Sequence, residues 1–476
     1  MKDIILTNCQ NHAFKQFLTF LEDTSYTAFI LKGYAGTGKT TLTERFIEEL
    51  VKRDLPFSLL ASTGRAAKIL SNATGRLAKT VHSEIYVYSD INQDLEKVVQ
   101  ERESTKVDAT GQLYLNFDLC EKKSTRNEIV HYYLVDEASM VADKADKSAK
   151  QAMFGSGRLL YDLMTHDPIG RFVFIGDKCQ LPPVIQNISP ALDADYLKQE
   201  YGISVCESEL TQIVRQEKAN GIVVAAQKLR DLYHHPQPYK WASFPLRGYN
   251  NIHVLNTQTD LINKYISVVK EKGFNAATLL CMSNKETNAL TRILRPSFGH
   301  LTPYLEKGDL LLVTQNNLIS GLMNGDLVVV EEVSVQERRA GLTFVYVTVR
   351  EMFTAKTYSL FMIAEVLYGN LTNITQNQHK ELLIDFYYRM RKCGIKQKTD
   401  QFNEMMRCDP YLNALRAVYG YALTCHKAQG GEWENVFLDI HRALPGWEKP
   451  GVYQWVYTAV TRAKKELYTV DGYWVR

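Results

Sequence analysis

Cysteine is sparse and unpatterned in this chain. The eight thiols in 476 residues form no C-x-x-C pair and no zinc-like spacing. That pattern excludes a disulfide framework and a structural zinc module, and it leaves reduced thiols of an intracellular protein as the plain reading. Long apolar runs are lacking too: none approaches the roughly eighteen residues of a membrane span. The opening MKDIILTNCQ has no secretory apolar stretch. The expectation is a soluble, cytoplasmic chain. Charge of one sign is also missing, because 56 Lys and Arg face 53 Asp and Glu for a net +3. Many nucleic-acid modules are far more basic, so bulk charge neither points to such a ligand nor excludes it. No internal repeat or low-complexity tract stands out.

What is present is a length too great for one hydrophobic core, implying two to four domains. Up to about residue 205, buried-strand runs (TAFILK, FSLLAS, HYYLVD, RFVFIG) alternate with helical stretches, the pattern of a parallel α/β sheet. Ligands bind at the carboxyl ends of such strands, and each chemically suggestive segment here falls at one. From about Tyr86 to Glu128 the rhythm breaks, and a turn signal at Asp108–Gly111 suggests a hairpin insertion. Residues 206–300 return to α/β character. Short alternating strands from about Leu301 suggest a small β-barrel, and a polar helical segment follows to about Tyr411. Residues 412–476 resume the second α/β domain, so barrel and helix are expected as an insertion within it.

The strongest signal is GYAGTGKTT, Gly33 to Thr41. It satisfies G-x-x-x-x-G-K-[ST] between a strand and an amphipathic helix. Backbone amides of Gly33, Ala35, Gly36, Thr37, Gly38 and Thr41 would cradle phosphates at a helix N-terminus. Lys39 would reach the β- and γ-phosphates of ATP, and the Thr40 hydroxyl would hold Mg²⁺. In LVDEASM, Asp136 is expected to complete the metal shell and Glu137 to act as catalytic base. In FIGDKCQLPPV, Asp177 and Gln180 lie past a strand end, where Gln180 could sense the γ-phosphate; a Pro-terminated structural loop is the competing reading.

Taken in order, GYAGTGKTT, DEASM, GDKCQLPPV, ELTQIVRQ (Glu209–Gln216), ALTCHKAQGGEWENV (Ala422–Val436) and VYTAVTRAKKELY (Val456–Tyr468) resemble superfamily-1 helicases. The short DEASM box and the HKAQG and YTAVTRAK forms are most similar to the Dda-like and RecD-like 5′-to-3′ subgroup. The resemblance implies two RecA-like P-loop domains, a β-hairpin insertion in the first and an SH3-like β-barrel plus helical insertion in the second. It implies that Gln10 reads the adenine edge, that Arg215 and Arg462 reach the γ-phosphate from the second domain, and that Gly430 and Glu432 contact the nucleotide, Glu432 at the ribose.

The resemblance also implies a track for single-stranded DNA over Thr63, Arg65, Thr80 and His82 in the first domain. Thr424, His426 and Lys427 would continue it in the second, with Pro182 and Pro183 against the bases. Hydroxyls, imidazoles and single cations suit phosphate contacts without base readout. Tyr114 and Phe117 are candidates for stacking at a strand-separating pin or for hairpin core. The helical segment carries Lys380, Arg389, Arg391, Lys392, Lys396, Lys398 and Arg407 with Tyr387 and Tyr388, either a solvated basic face or a strand contact. The expected activity is an ATP-dependent helicase translocating 5′ to 3′ and acting at duplex junctions. Such a motor can work as a monomer and would act at the nucleoid. An RNA-directed helicase and a nucleotide-gated loading ATPase are the alternatives.

Overall fold

The computed structural model describes residues 6–105, 112–122, 129–145, 151–214, 220–369 and 371–476. Two parallel sheets organise it. The first has six strands in the order Ala78–Thr80, Phe57–Ala61, Tyr132–Asp136, Arg171–Gly176, Ala28–Gly33, Val205–Leu210. All its pairings are parallel, which requires crossovers that place helices on the faces. The central strands are buried throughout, and Phe17, Phe20, Phe29 and Phe46 pack the face under the first two helices. The boundary expected at 205 is corrected: Val205–Leu210 is an edge strand of the first sheet, paired with Ala28–Gly33.

The second sheet has five parallel strands in the order Ile252–Leu255, Ala463–Val470, Trp433–Leu438, Ala277–Cys281, Leu423–Thr424. Two come from before the inserted segment and three from after it. The insertion itself is a five-stranded antiparallel sheet, Thr357–Ile363, Leu342–Glu351, Leu327–Arg339, Leu310–Val313 and Ala417–Tyr419. Its first and last members are brought together by a bridge between Met362 and Leu415, which closes the sheet around Leu311, Val328, Val347 and Val349. Because Ala417–Tyr419 completes the barrel, the insertion extends past the expected limit at 411.

The insertion in the first domain is more than a hairpin. Strand Tyr86–Ile91 pairs antiparallel with Leu115–Leu119, and Ala152–Phe154 adds a third strand from outside the expected 86–128. Between the first two strands runs a helix, Leu95–Thr105, that the sequence reading did not foresee. The turn expected at Asp108–Gly111 lies outside the described residues. The expected polar helical segment is two helices, Gln376–Lys392 and Asp400–Cys408. Val98 and Val99 of the first insertion share a core with Ile384, Phe386 and Tyr387 of the second.

Candidate active site

Strand Ala28–Gly33 delivers the chain to the Gly33–Thr41 loop, and helix Lys39–Lys52 leaves it. Gly36 and Gly38 both take left-handed backbone, φ 78° and 80°, a conformation that costs side-chain-bearing residues energy. At Gly38 a Cβ would also sit 2.4 Å from the Gln10 amide nitrogen. The Lys39 ammonium donates to the carbonyls of Gly33 (2.7 Å) and Tyr34 (3.2 Å), spanning the mouth of the loop. Thr40 is exposed in the first helical turn. Gln10 is occupied structurally: its side chain closes a capping box with Thr7 and donates to the Thr37 carbonyl at 3.1 Å. Both ends of its side chain are thus engaged, and they hold it against the phosphate loop.

Asp136 ends the strand beside the loop and accepts the amide of Glu137 at 2.9 Å. Burial and the neighbouring Glu137 push its carboxyl up to about 6, against the pull of Lys39. A carboxyl so placed favours a cation partner. Glu137 sits at φ 50°, strain of the sort that positions catalytic side chains. Thr40, Asp136 and the loop amides fit a nucleotide with Mg²⁺, which takes one or two protein oxygens and draws the rest from phosphate and water.

The loop from Asp177 to Leu181 is held by the second domain. Helix Gly451–Val460 is mostly apolar and is buried from Val452 to Val460, as suits a helix enclosed between domains. The Tyr457 hydroxyl on it donates to Asp177 (2.7 Å) and accepts from the Ala35 amide (3.1 Å). Gln454 donates to the Gln180 carbonyl at 3.2 Å, and Thr458 accepts from the Leu181 amide at 3.0 Å. Gln429 donates to the Leu181 carbonyl at 3.1 Å. Gln180 is buried, and its side-chain oxygen has no partner among the described residues. Tyr457, Gln454 and Gln429 were not singled out from sequence; for the first two, the largely apolar run VYQWVYTAV was the available signal.

Arg462 follows the same helix. Its guanidinium donates to the carbonyls of Thr458 (3.0 Å) and Gly431 (3.2 Å) and to the Thr461 hydroxyl (3.2 Å). Among the described residues it has no carboxylate partner, so a buried cation faces only neutral acceptors. Arg215 lies outside the described residues. The preceding Val214 amide donates to the Gly36 carbonyl at 2.9 Å, so that segment meets the phosphate loop from the first domain's edge strand. Tyr34 contributes a further bridge, with its hydroxyl on Glu209 and its ring 4.0 Å beneath the Arg230 guanidinium of helix Gly221–His234.

The expected strand-contacting residues fall at adjacent strand ends. Ala61 pairs with Thr80, which sets Thr63 and Thr80 at neighbouring carboxyl ends of the first sheet. Each hydroxyl caps its own helix, on Ala66 and Ser83. His82 lies edge-on to Phe154 at 5.3 Å. Thr424 ends the edge strand of the second sheet, and burial lowers the pKa of both His426 and Lys427 just beyond it. Pro182 is half-buried beside Leu181, and Pro183 is buried. Gly430 lies against Ala66, where an added Cβ would be 3.5 Å away, so the two halves of the track approach each other.

The Arg65 guanidinium stacks 4.5 Å over Trp433 beside Gly431, and burial lowers its pKa to about 10, so it bridges the first and second domains. Glu432 is exposed and pairs with Lys464 at 3.4 Å. Phe117 stacks on Phe154 at 4.7 Å within the small sheet, which is the hairpin-core reading. Tyr387 is buried and Arg389 is paired with Asp385 and Asp409, so the helical segment is not a uniformly basic face.

Residues 20–186 match the family described as AAA domain, and residues 419–470 the UvrD-like helicase C-terminal domain. The ATP-dependent RecD2 DNA helicase of Deinococcus radiodurans is 25% identical over 93% of this chain. The ATP-dependent DNA helicase Dda of Enterobacteria phage T4 is 40% identical over 79 residues, 16% of this chain and 18% of its own. The chain spans less than half the length of the curated relatives it matches over 93% of its own, 47% for the Deinococcus protein. A crystal structure of a Pif1 helicase from Bacteroides, in complex with ADP-AlF3 and ssDNA, aligns over 99% of this chain and 93% of its own. Its identity is 16% and its TM-score 0.49. Among the described residues, no helix is long and apolar enough to cross a membrane.

Proposed function

We propose that this chain is a superfamily-1 helicase of the Dda-like and RecD-like kind, an ATP-dependent DNA helicase moving 5′ to 3′ on single strands. The observation that carries the reading is the Tyr457 hydroxyl, which joins the phosphate loop at Ala35 to Asp177 from a second-domain helix that Arg462 closely follows. A nucleotide bound at Lys39 is thereby felt by both domains.

ATP entry would draw the Lys39 ammonium off the Gly33 and Tyr34 carbonyls and onto phosphate oxygens. Thr40 and Asp136 would hold Mg²⁺, which supplies charge neutralisation on the phosphates. Glu137 would orient the attacking water, and the unpartnered Gln180 side-chain oxygen would accept from it. Arg462 and Arg215 would turn to the transferred phosphoryl group; such arginines are worth about 10³ to 10⁵ in rate in other nucleotidases. Moving Arg462 releases its carbonyl on Gly431, next to Gly430 and Ala66, so hydrolysis would reset the spacing between the two halves of the strand track.

Lys39→Ala is expected to abolish DNA-stimulated ATP hydrolysis while strand binding persists. Strand displacement with 5′- and 3′-tailed duplexes reads polarity, and matched DNA and RNA oligonucleotides read the sugar preference. Retained turnover in Lys39→Ala, or displacement only from 3′ tails, would sink the corresponding part of the reading.

A further inference from the structure

Three separate segments of the second domain knit into one exposed aromatic surface. The Ala242 amide donates to the Pro445 carbonyl at 2.8 Å, and the Phe244 amide to the Trp474 carbonyl at 2.6 Å. Lys449 donates to the Gln237 carbonyl at 2.7 Å, and the Tyr473 hydroxyl to the Arg442 carbonyl at 3.3 Å. The Trp241 ring meets Tyr473 edge-on at 6.1 Å. It also lies so close on Gly446 that a Cβ there would be 2.6 Å from the indole. The framework is thus rigid, yet Tyr239, Trp241, Trp447 and Tyr473 remain 62, 49, 39 and 59% exposed.

Single exposed apolar side chains are ordinary, but four rings in one patch mark a binding surface. Lys240 lies 5.5 Å from the Trp241 ring, and neither Lys240 nor Arg442 forms an ion pair among the described residues. Asp471, the acid nearest in sequence to Tyr473, is already taken by Arg247. Rings interleaved with free cations suit a polyanion whose flat groups can stack. Tyr, Trp and Arg also mark protein interfaces, so placement must decide between the two. Strands Trp433–Leu438 and Ala463–Val470 run parallel to Leu423–Thr424 in one sheet. The segments leaving their carboxyl ends carry Trp447 and Tyr473, on the same sheet edge from which His426 and Lys427 emerge. The offset is two to three strands, roughly 10–15 Å at the usual strand spacing.

We propose that the Tyr239, Trp241, Trp447 and Tyr473 surface is an auxiliary subsite for single-stranded nucleic acid, which takes bases by stacking and extends the track beyond His426 and Lys427. The inference rests on the reading of the chain as a motor on single strands. Binding of oligo(dT) from 6 to 24 nucleotides, followed by fluorescence anisotropy at fixed salt, tests it on the full chain. Affinity of the unaltered protein should keep rising with length beyond the track itself. Trp241→Ala combined with Tyr473→Ala should weaken the 24-mer at least about tenfold and leave the 6-mer within about twofold, since each base stack contributes on that scale. Trp241→Phe with Tyr473→Phe should restore most of the loss, and this pair also guards against misfolding of the alanine variant, checked by thermal melting. Equal binding of every length by the alanine variant would overturn the subsite and leave the surface to a protein partner. Failure of the unaltered chain to bind any length would instead overturn the motor reading.

Discussion

The Tyr457 hydroxyl lies 2.7 Å from the Asp177 carboxylate and 3.1 Å from the Ala35 amide. One buried phenol therefore ties the phosphate loop, the loop after the fourth sheet strand and helix Gly451–Val460, which Arg462 follows. Burial first, then Asp177, raises its pKa well above the ordinary tyrosine range, so it stays a neutral donor. Tyr457→Phe removes the donor and strands the Ala35 amide. Leaving such a buried group unpaired costs about 1–3 kcal/mol. Urea unfolding should report a loss of that size. DNA-stimulated kcat should fall about tenfold or more, because nucleotide occupancy no longer reaches Asp177 directly. Unchanged kcat with reduced stability would limit Tyr457 to a structural tie.

Arg462 tests the site from the other domain. Its three donors end on two carbonyls and a hydroxyl, acceptors that a planar fork reaches and a lysine ammonium does not match. Arg462→Lys keeps the charge yet should lower kcat at least about a hundredfold, with KM for ATP shifted only a few-fold, since the group acts on developing charge. Steady-state ATPase measurements at saturating oligonucleotide check this. A rise in KM with kcat intact would make Arg462 a ground-state binding residue.

Sequence and structure part company where long-range packing decides. The Gly33–Thr41 loop was legible because its glycines, lysine and flanking strand and helix are all local requirements. The two parallel sheets were legible for the same reason: buried strand runs such as RFVFIG read directly as continuous apolar segments. The stacking of Arg65 on Trp433 was not legible, because the two lie 368 residues apart in the chain and nothing local marks the pair. Tyr457 was overlooked because its partners, Ala35 and Asp177, are some 420 and 280 residues distant. Helix Leu95–Thr105 was missed because its apolar positions are few and make sense only against the helix Gln376–Lys392.

That helix-on-helix contact makes its own prediction. Leu95, Val98 and Val99 are buried against Leu383, Ile384 and Phe386, and Arg102 makes a two-pronged pair with Glu381 at 3.0 and 2.6 Å. The Leu95 amide donates to the Gln397 side chain at 2.7 Å. The first-domain insertion is thus anchored to the second-domain insertion, away from the nucleotide cleft. Val99→Asp buries an unpaired carboxylate there and should undock the two. Single-strand-stimulated ATP hydrolysis should persist within a few-fold, while duplex displacement falls about tenfold or more. Equal losses in both assays would mean that the insertion supports the motor core instead of strand separation.

The last prediction concerns acid stability and one buried imidazole. His379 is 5% exposed, and neither ring nitrogen has a hydrogen-bond partner among the described residues. Burial, reinforced by the nearby Arg416 guanidinium, lowers its pKa to about 3. Arg416 is itself buried, donating to the Asn373 side chain at 2.9 Å and to the side chains of Gln151 and Gln315. It therefore offers His379 a positive charge and no acid. Unfolding restores an ordinary imidazole that titrates near 6.5. Between pH 6.5 and 3 the unfolded chain binds a proton that the folded chain refuses, so stability falls as pH falls through that window. At about 1.4 kcal/mol per pH unit, the loss from this group is roughly 2 kcal/mol at pH 5. His379→Leu removes the titrating group while keeping the site apolar. Melts of both proteins from pH 8 to pH 5 should show the wild type losing about 2 kcal/mol more than the variant, with no divergence above pH 7. Parallel curves across the whole range would mean that the imidazole is protonated in the folded state, contrary to its surroundings.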